Sequence, residues 1–409
     1  MKNLLLCVAL FLLPLTALSQ DSANYTTSVD FGLEQSKLEV ETTLRIPASL
    51  ITDKQVRLFL NREFEIAEVS GLGFVDYEVE QSEQIPPWNN VTLNFSDSSQ
   101  VQTVTLKYTG EIDSSAGHGN FIGDKGVHLS IDSGWHPFFT DFFTPLVGSL
   151  TLELPDGWNV YAPGTIALSD REVQVKNERP TIDVTLYATN EPTELVNGDF
   201  TVVYDKANSD NSDVVAKAGS RCMSSLNDKF GEQDRLDSAH AVLLERSGPS
   251  FARANYISLN SQILKSEPQI YQYLCHELAH NWTAFSSAFS HDYWMTESFA
   301  EYIAAKELKV AYGQEAFNTV VEGWRALAEG QSFVWRADDN RRASHKANYG
   351  LGPLALMHLE EHVGSDTFSD LMHWYMTEEV TTTEALLNQL AAIKNEETSH
   401  WFKQLLSGN

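Results

Sequence analysis

Basic residues are scarce in this 409-residue chain: 28 Lys and Arg face 56 Asp and Glu, a formal charge of −28. A surface this acidic repels phosphate backbones and anionic lipid, which excludes nucleic-acid binding and electrostatic docking to acidic membranes. Long apolar runs are lacking too. The one conspicuous run, Leu4–Ala17, sits inside the first twenty residues, MKNLLLCVALFLLPLTALSQ. It is short for ~30 Å of hydrocarbon. With Lys2 ahead of it and small Ala17 and Ser19 at its end, it reads as an export signal cut near Ser19 or Gln20. A retained anchor is the competing reading. No later segment approaches ~18 continuous apolar residues, so the mature protein, periplasmic or secreted, is expected to be soluble, without stable membrane insertion. Cysteine is the third scarcity. Cys7 leaves with the signal, and only Cys222 and Cys275 remain. In an oxidising compartment they can pair, or they can stay two buried thiols; the sequence leaves both open.

A fully disordered chain is excluded by 42% hydrophobic and 11% aromatic residues, ample material for a core. Neither an internal repeat nor an extended low-complexity tract interrupts the chain. Its character changes near residue 205. Before that point, Val101–Tyr108, Leu150–Leu154, Ile182–Tyr187 and Phe200–Tyr204 alternate with period two and are rich in β-branched residues. Turn signals such as Pro155-Asp156-Gly157, Pro163-Gly164 and Asn197-Gly198 separate them. After the polar breaker at 208–213 the pattern becomes helical. Helices are predicted over Val214–Phe230, Ser266–Phe285, Thr296–Val310, Pro353–His362 and Thr383–Ile393, with buried strands at Ala239–Leu244 and Tyr256–Leu259. The expected architecture is β followed by α+β. Residues 1–20 are the signal, 21–205 an antiparallel β-sandwich or saddle domain, and 206–409 an α+β domain.

The chemistry concentrates in Ser266–Tyr302. Ser266, Pro268 and Gln269 give a helix-start pattern. Ten residues on comes His276-Glu277-Leu278-Ala279-His280. Residues i and i+4 share a helix face, so both imidazoles can reach one ion, while Glu277 projects beside them where it can take a proton from water. A second segment, His358-Leu359-Glu360-Glu361-His362, fits the inverted spacing, so spacing alone does not identify a metal site. Its surroundings are an ordinary amphipathic helix with no clear third ligand downstream, and it reads as structural. The first motif is followed, after sixteen intervening residues, by Glu297 in DYWMTESFAEY. Two His and one Glu form a common catalytic zinc set that leaves a coordination position open. Glu301, one turn further, can accept a hydrogen bond from the far nitrogen of a ligand histidine, or be an ordinary surface carboxylate.

HELAHNW followed by DYWMTESFAEY resembles the zinc-site helices of the gluzincin metallopeptidases, in particular the aminopeptidase N family, whose spacing between the second His and the Glu is normally two residues longer. Tyr349-Gly350-Leu351-Gly352 resembles that family's Y-x-x-G segment, and Trp401–Leu405 its closing catalytic-domain helix. Gly134–Pro137 and Leu154–Trp158 are similar to parts of its N-terminal β domain. The resemblance implies a thermolysin-like catalytic domain over 206–409, without the C-terminal helical domain of larger members. It implies one zinc ion held by His276, His280 and Glu297, Glu277 as general base, and Tyr349 donating to the oxyanion of a tetrahedral intermediate. It departs at one place. The family's amine-binding G-x-M-E-N segment corresponds to about Pro249–Asn255, which carries Arg253 and no acid. Two readings of Arg253 stand, a contact for a substrate carboxylate or a solvated edge-strand residue. The Tyr256–Leu259 strand, beginning at Tyr256, is expected to pair with an extended substrate backbone.

These readings converge on an exported zinc-dependent peptidase, an aminopeptidase by resemblance with endopeptidase action open. The alternative is a weakly active, zinc-holding binding protein on the same scaffold. Hydrolysis of a non-peptide bond such as an epoxide is a third. Losing the signal removes Lys2 and no acid, which takes the charge to −29 and favours cationic peptides near the cleft.

Overall fold

The computed structural model describes residues 21–83, 85–112, 118–168, 172–205, 209–232, 234–283 and 286–408. The export signal with Cys7, Asn208 of the polar breaker and Phe285 of the expected helix lie outside the described residues.

The first half is built from three sheets. A seven-stranded sheet runs Thr165–Leu168, Glu172–Thr181, Leu146–Glu153, Ala23–Gly32, Lys37–Ile46, Gln102–Glu111, Glu65–Leu72. Its strands alternate buried and exposed residues along their length, as in Ala23–Gly32, because one face covers a core and the other meets solvent. Two four-stranded sheets complete this part. All pairings are antiparallel except Ala23–Gly32 with Leu146–Glu153, which are parallel. Tyr25, Phe59, Trp135, Phe138 and Leu186 belong to one buried cluster that fills the interior.

A five-stranded sheet begins the second half, in the order Thr193–Asn197, Phe200–Tyr204, Ala239–Leu244, Tyr256–Asn260, Phe251–Arg253. The three inner strands are mutually parallel and the two outer ones antiparallel to their neighbours. Among the described residues eight α-helices follow or interleave: α1 (Ser212–Phe230), α2 (Glu267–Thr283), α3 (Trp294–Tyr312), α4 (Gln314–Ala328), α5 (Gly352–Val363), α6 (Ser365–Thr377), α7 (Thr383–Ile393) and α8 (Glu396–Ser407). Their core is a second cluster, separate from the first.

The seam between the two parts lies before residue 205. Phe200 and Val202 pack into the helical core, and their strand is hydrogen-bonded to Ala239–Leu244, so Thr193–Tyr204 belongs to the second domain. The expected boundary is corrected to about residue 190. Alternation does not report which sheet a strand joins. The expected strand Ile182–Tyr187 shifts to Leu186–Thr189. Asp183 is turned inward there, accepting from Ile131 N at 2.9 Å and pairing with Arg253.

The domains are joined by buried polar contacts. Arg246 Nη1 donates to Ser258 Oγ at 2.9 Å, Ser258 Oγ lies 3.3 Å from His128 Nε2, and His128 Nδ1 lies 2.8 Å from the Gly119 carbonyl. A carbonyl only accepts, so His128 carries its proton on Nδ1 and accepts at Nε2. Arg246 also reaches Asp132 at 3.4 Å.

Candidate metal centre

α2 is buried on most of its surface. Ile270, Leu274, Leu278 and Cys275 enter the core, and α2 packs against α1, α3 and the strand Phe251–Arg253. Cys275 is disulfide-bonded to Cys222 of α1, with Cα atoms 5.6 Å apart. The open question about the two thiols is settled as a bridge, and it lies next to His276. The side of α2 carrying His276 and His280 faces the first turn of α3, where Glu297 projects back.

The three side chains converge. Glu297 Oε2 is 3.4 Å from His276 Nε2 and 3.7 Å from His280 Nε2, and all three candidate ligand atoms lie within 4.8 Å of one another. Ligands bound at about 2.0–2.1 Å around a tetrahedral ion are separated by roughly 3.3–3.4 Å, so this donor set fits zinc with little rearrangement. Among the described residues it is the one group of this kind. Burial pushes the His280 pKa down to about 4, while at His276 burial is outweighed by the Glu297 and Glu301 carboxylates, which raise its pKa well above the usual value, so binding a cation there would release a proton from His276.

The surroundings hold these groups in place. Glu301 Oε2 lies 3.2 Å from His276 Nδ1, at ion-pair distance though outside hydrogen-bond alignment. Its other oxygen accepts from Gln272 Nε2 and Trp324 Nε1, each at 2.9 Å. Thr283 Oγ1 is 3.5 Å from His280 Nδ1. Glu277 is 4% exposed. Burial pushes its carboxyl up to about 7; the neighbouring His276 opposes this and the Glu297 charge adds to it.

Tyr349 reaches the cluster from a π-helical turn, Ala347–Leu351, that leads into α5. Its hydroxyl donates to Glu297 Oε2 at 2.5 Å, and its ring stacks on His276 with centroids 5.6 Å apart. Two glycines make this approach possible. A Cβ on Gly352 would lie 1.8 Å from Ser298 Oγ, and one on Gly350 within 2.9 Å of Leu327 Cβ and the α4 backbone. The Y-x-x-G pattern is therefore a packing requirement: α5 starts against α3 beside Glu297. Burial keeps the Tyr349 phenol protonated, its pKa far above the usual value.

Two expected substrate contacts are placed elsewhere. The strand Tyr256–Asn260 is paired on both sides, and Tyr256 is fully buried with its hydroxyl unpartnered among the described residues. It cannot pair with a substrate. The edge strand next to it is Phe251–Arg253, a three-residue strand too short for alternation to reveal. Arg253 is not a free cation on that edge either. Its Nε donates to Asp183 of the β domain and its Nη1 to the Ala252 carbonyl, so it fastens the two domains together. The inverted motif is structural as expected. Glu360 pairs with Lys306 and accepts from Tyr302, His362 stacks on Trp401, and His358 is exposed.

Sequence reasoning missed Tyr293, whose hydroxyl donates to Glu297 Oε1. The available signal was its position four residues before Glu297 in a helix-starting segment.

No protein-family model and no curated protein matches this sequence. Among solved structures, the chain is similar to native yeast LTA4 hydrolase, with a TM-score of 0.77 at 14% identity over 94% of this chain and 67% of that one. It is also similar to an M1 zinc metallopeptidase from Deinococcus radiodurans, with a TM-score of 0.70 at 17% identity over 95% of this chain and 94% of that one. A mutant of the latter bound to a Tyr-Ser-Ala substrate gives a TM-score of 0.72 at 17% identity over the same shares. These likenesses establish the fold: a β domain followed by a mixed α+β domain, the two-domain architecture of the M1 zinc metallopeptidase structures.

Proposed function

We propose that this protein is an exported zinc-dependent peptidase. The observation that carries the reading is the convergence of His276, His280 and Glu297 on one point, with buried Glu277 beside them and the Tyr349 hydroxyl directed at the same oxygen of Glu297. Zinc bound there supplies a Lewis acid that polarises a carbonyl oxygen and acidifies water. The remaining work belongs to the chain. Glu277, buried beside the ligands, takes the proton of the attacking water and passes it to the leaving amine. Tyr349 donates to the oxygen on which negative charge develops, an interaction that strengthens in the transition state. Glu301, held by Gln272 and Trp324, steadies the His276 ring. The disulfide between α1 and α2 accords with folding in an oxidising compartment, as the export reading requires.

The stretch 249–255 offers no carboxylate to hold a free amine, and its arginine is committed to Asp183. We therefore expect amine-blocked peptides to be cleaved at least as well as free ones. Purified mature protein should carry one zinc per chain and cleave members of a peptide library. Glu277→Gln should retain the metal and lose about 10²–10⁴-fold in rate. Stoichiometric zinc with no cleavage by the wild type would instead establish the zinc-holding binding protein. Cleavage undiminished in the variant would remove Glu277 as the base.

A further inference from the structure

Glu297 offers two oxygens, and the structure treats them differently. Oε2 faces both imidazoles. Oε1 is turned away from them and accepts from the Tyr293 hydroxyl. Tyr293 is held at its backbone and at its ring. Its N–H donates to the Ser290 carbonyl at 3.2 Å, closing the short turn His291–Tyr293 ahead of α3. The adjoining Asp292 accepts from Thr383 N at 2.9 Å, which ties that turn to α7. The Arg342 guanidinium lies over the Tyr293 ring, 4.0 Å from its centroid, and Arg342 Nη1 donates to the Ala288 carbonyl at 2.9 Å. The hydroxyl therefore has a fixed address before any ion arrives.

We propose that Tyr293, backed by Arg342, is a positioning residue that holds Oε1 of Glu297 away from the metal and keeps this carboxylate a one-oxygen ligand. The inference rests on the zinc reading above. A carboxylate is free to bind a cation through one oxygen or two, and a second oxygen would occupy the position that a substrate carbonyl needs. Anchoring one oxygen by a charge-assisted hydrogen bond disfavours the two-oxygen mode and raises affinity by fixing the ligand's direction. Tyr349 does not do this. Its hydroxyl sits on Oε2, the same oxygen the metal would take, so it competes for that oxygen where Tyr293 supports it.

The test compares the full-length mature wild type with Tyr293→Phe, Arg342→Gln and Tyr349→Phe. Zinc affinity is measured by competition with a chelating dye, and coordination by the visible absorption of the cobalt(II)-substituted proteins. Tyr293→Phe should bind zinc about 10–100-fold more weakly. Its cobalt bands should weaken, as they do when coordination rises from four to five. Arg342→Gln, which keeps the hydroxyl but frees the ring, should move both readouts the same way by less. Tyr349→Phe, which removes a competitor for Oε2, should bind zinc at least as tightly as the wild type. Wild-type affinity and an unchanged cobalt spectrum in Tyr293→Phe would overturn the inference while leaving the zinc reading intact. Failure of the wild type itself to bind zinc would overturn the zinc reading first, and the inference with it.

Discussion

Two histidines that are not among the metal-binding group show how strongly burial sets protonation in this protein. His136 is 2% exposed, its Nδ1 lies 2.9 Å from the Pro137 carbonyl, and its Nε2 lies 2.9 Å from Thr27 Oγ1. The carbonyl accepts a hydrogen bond from Nδ1–H, and in the neutral ring Nε2 accepts from the Thr27 hydroxyl. His128 is held in the same way between Gly119 and Ser258. Burial pushes both pKa values down to about 3, and Arg246 acts in the same direction at His128. In the unfolded chain these rings protonate near pH ~6.5, so below that pH the unfolded state binds more protons than the folded state. Their contribution to stability is therefore complete above pH ~6.5 and is lost as pH falls toward about 3. Each ring should remove about 1.4 kcal/mol per pH unit across that window. Urea denaturation of wild type and His136→Gln at pH 7 and pH 5 checks this: the variant should show a shallower pH dependence, and equal slopes would refute it.

At the scale of elements, the disulfide between α1 and α2 fixes the helix that carries His276, Glu277 and His280. Its cysteines are 53 residues apart, and the loop-closure relation gives about 4 kcal/mol for a bridge of that span. Replacing both with Ala should lower the unfolding free energy by about 2–4 kcal/mol in urea titrations, with no loss upon reduction thereafter. An unchanged midpoint would show that the staple contributes nothing. The same elements show what was legible in the sequence. α2 carries a helix-start signal, α2 and α3 together carry the ligand spacing, and α7 was read at its observed bounds. α4 and α6 went unread although Phe317, Val321 and Trp324, and Phe368, Leu371 and Tyr375, form apolar stripes at helical spacing. Each lies one residue beyond the preceding helix, so the stripes merge into a longer irregular run. The ligands were legible because metal binding demands fixed spacing along one helix face. Tyr293 and Asp183 were not, because their partners are set by how elements pack, which local pattern does not encode.

Over the whole molecule, the seam near residue 190 and the buried pairs Arg253–Asp183 and Arg246–Asp132 tie the β domain to the sheet beneath α2. The β domain is thereby part of the frame around the site. Phe142 meets Phe289 of the α2–α3 connection, with ring centroids 4.6 Å apart. Among the described residues no helix is long and apolar enough to cross a membrane. The scarcity of basic residues acts at this scale as well. A strongly acidic surface should speed encounters with basic peptides, and this advantage is screened as salt approaches ~1 M, where the Debye length is only ~3 Å. The kcat/KM for a lysine-rich substrate should therefore fall with added salt, while that for a neutral one should hold steady. Equal responses would confine the acidity to solubility. Whether three side chains from α2 and α3 hold one catalytic zinc is read from an anomalous difference map of zinc-loaded crystals. One peak is predicted about 2.0–2.2 Å from His276 Nε2, His280 Nε2 and a single Glu297 oxygen. No peak there, or one bound by other residues, would mean that these side chains do not form the metal centre.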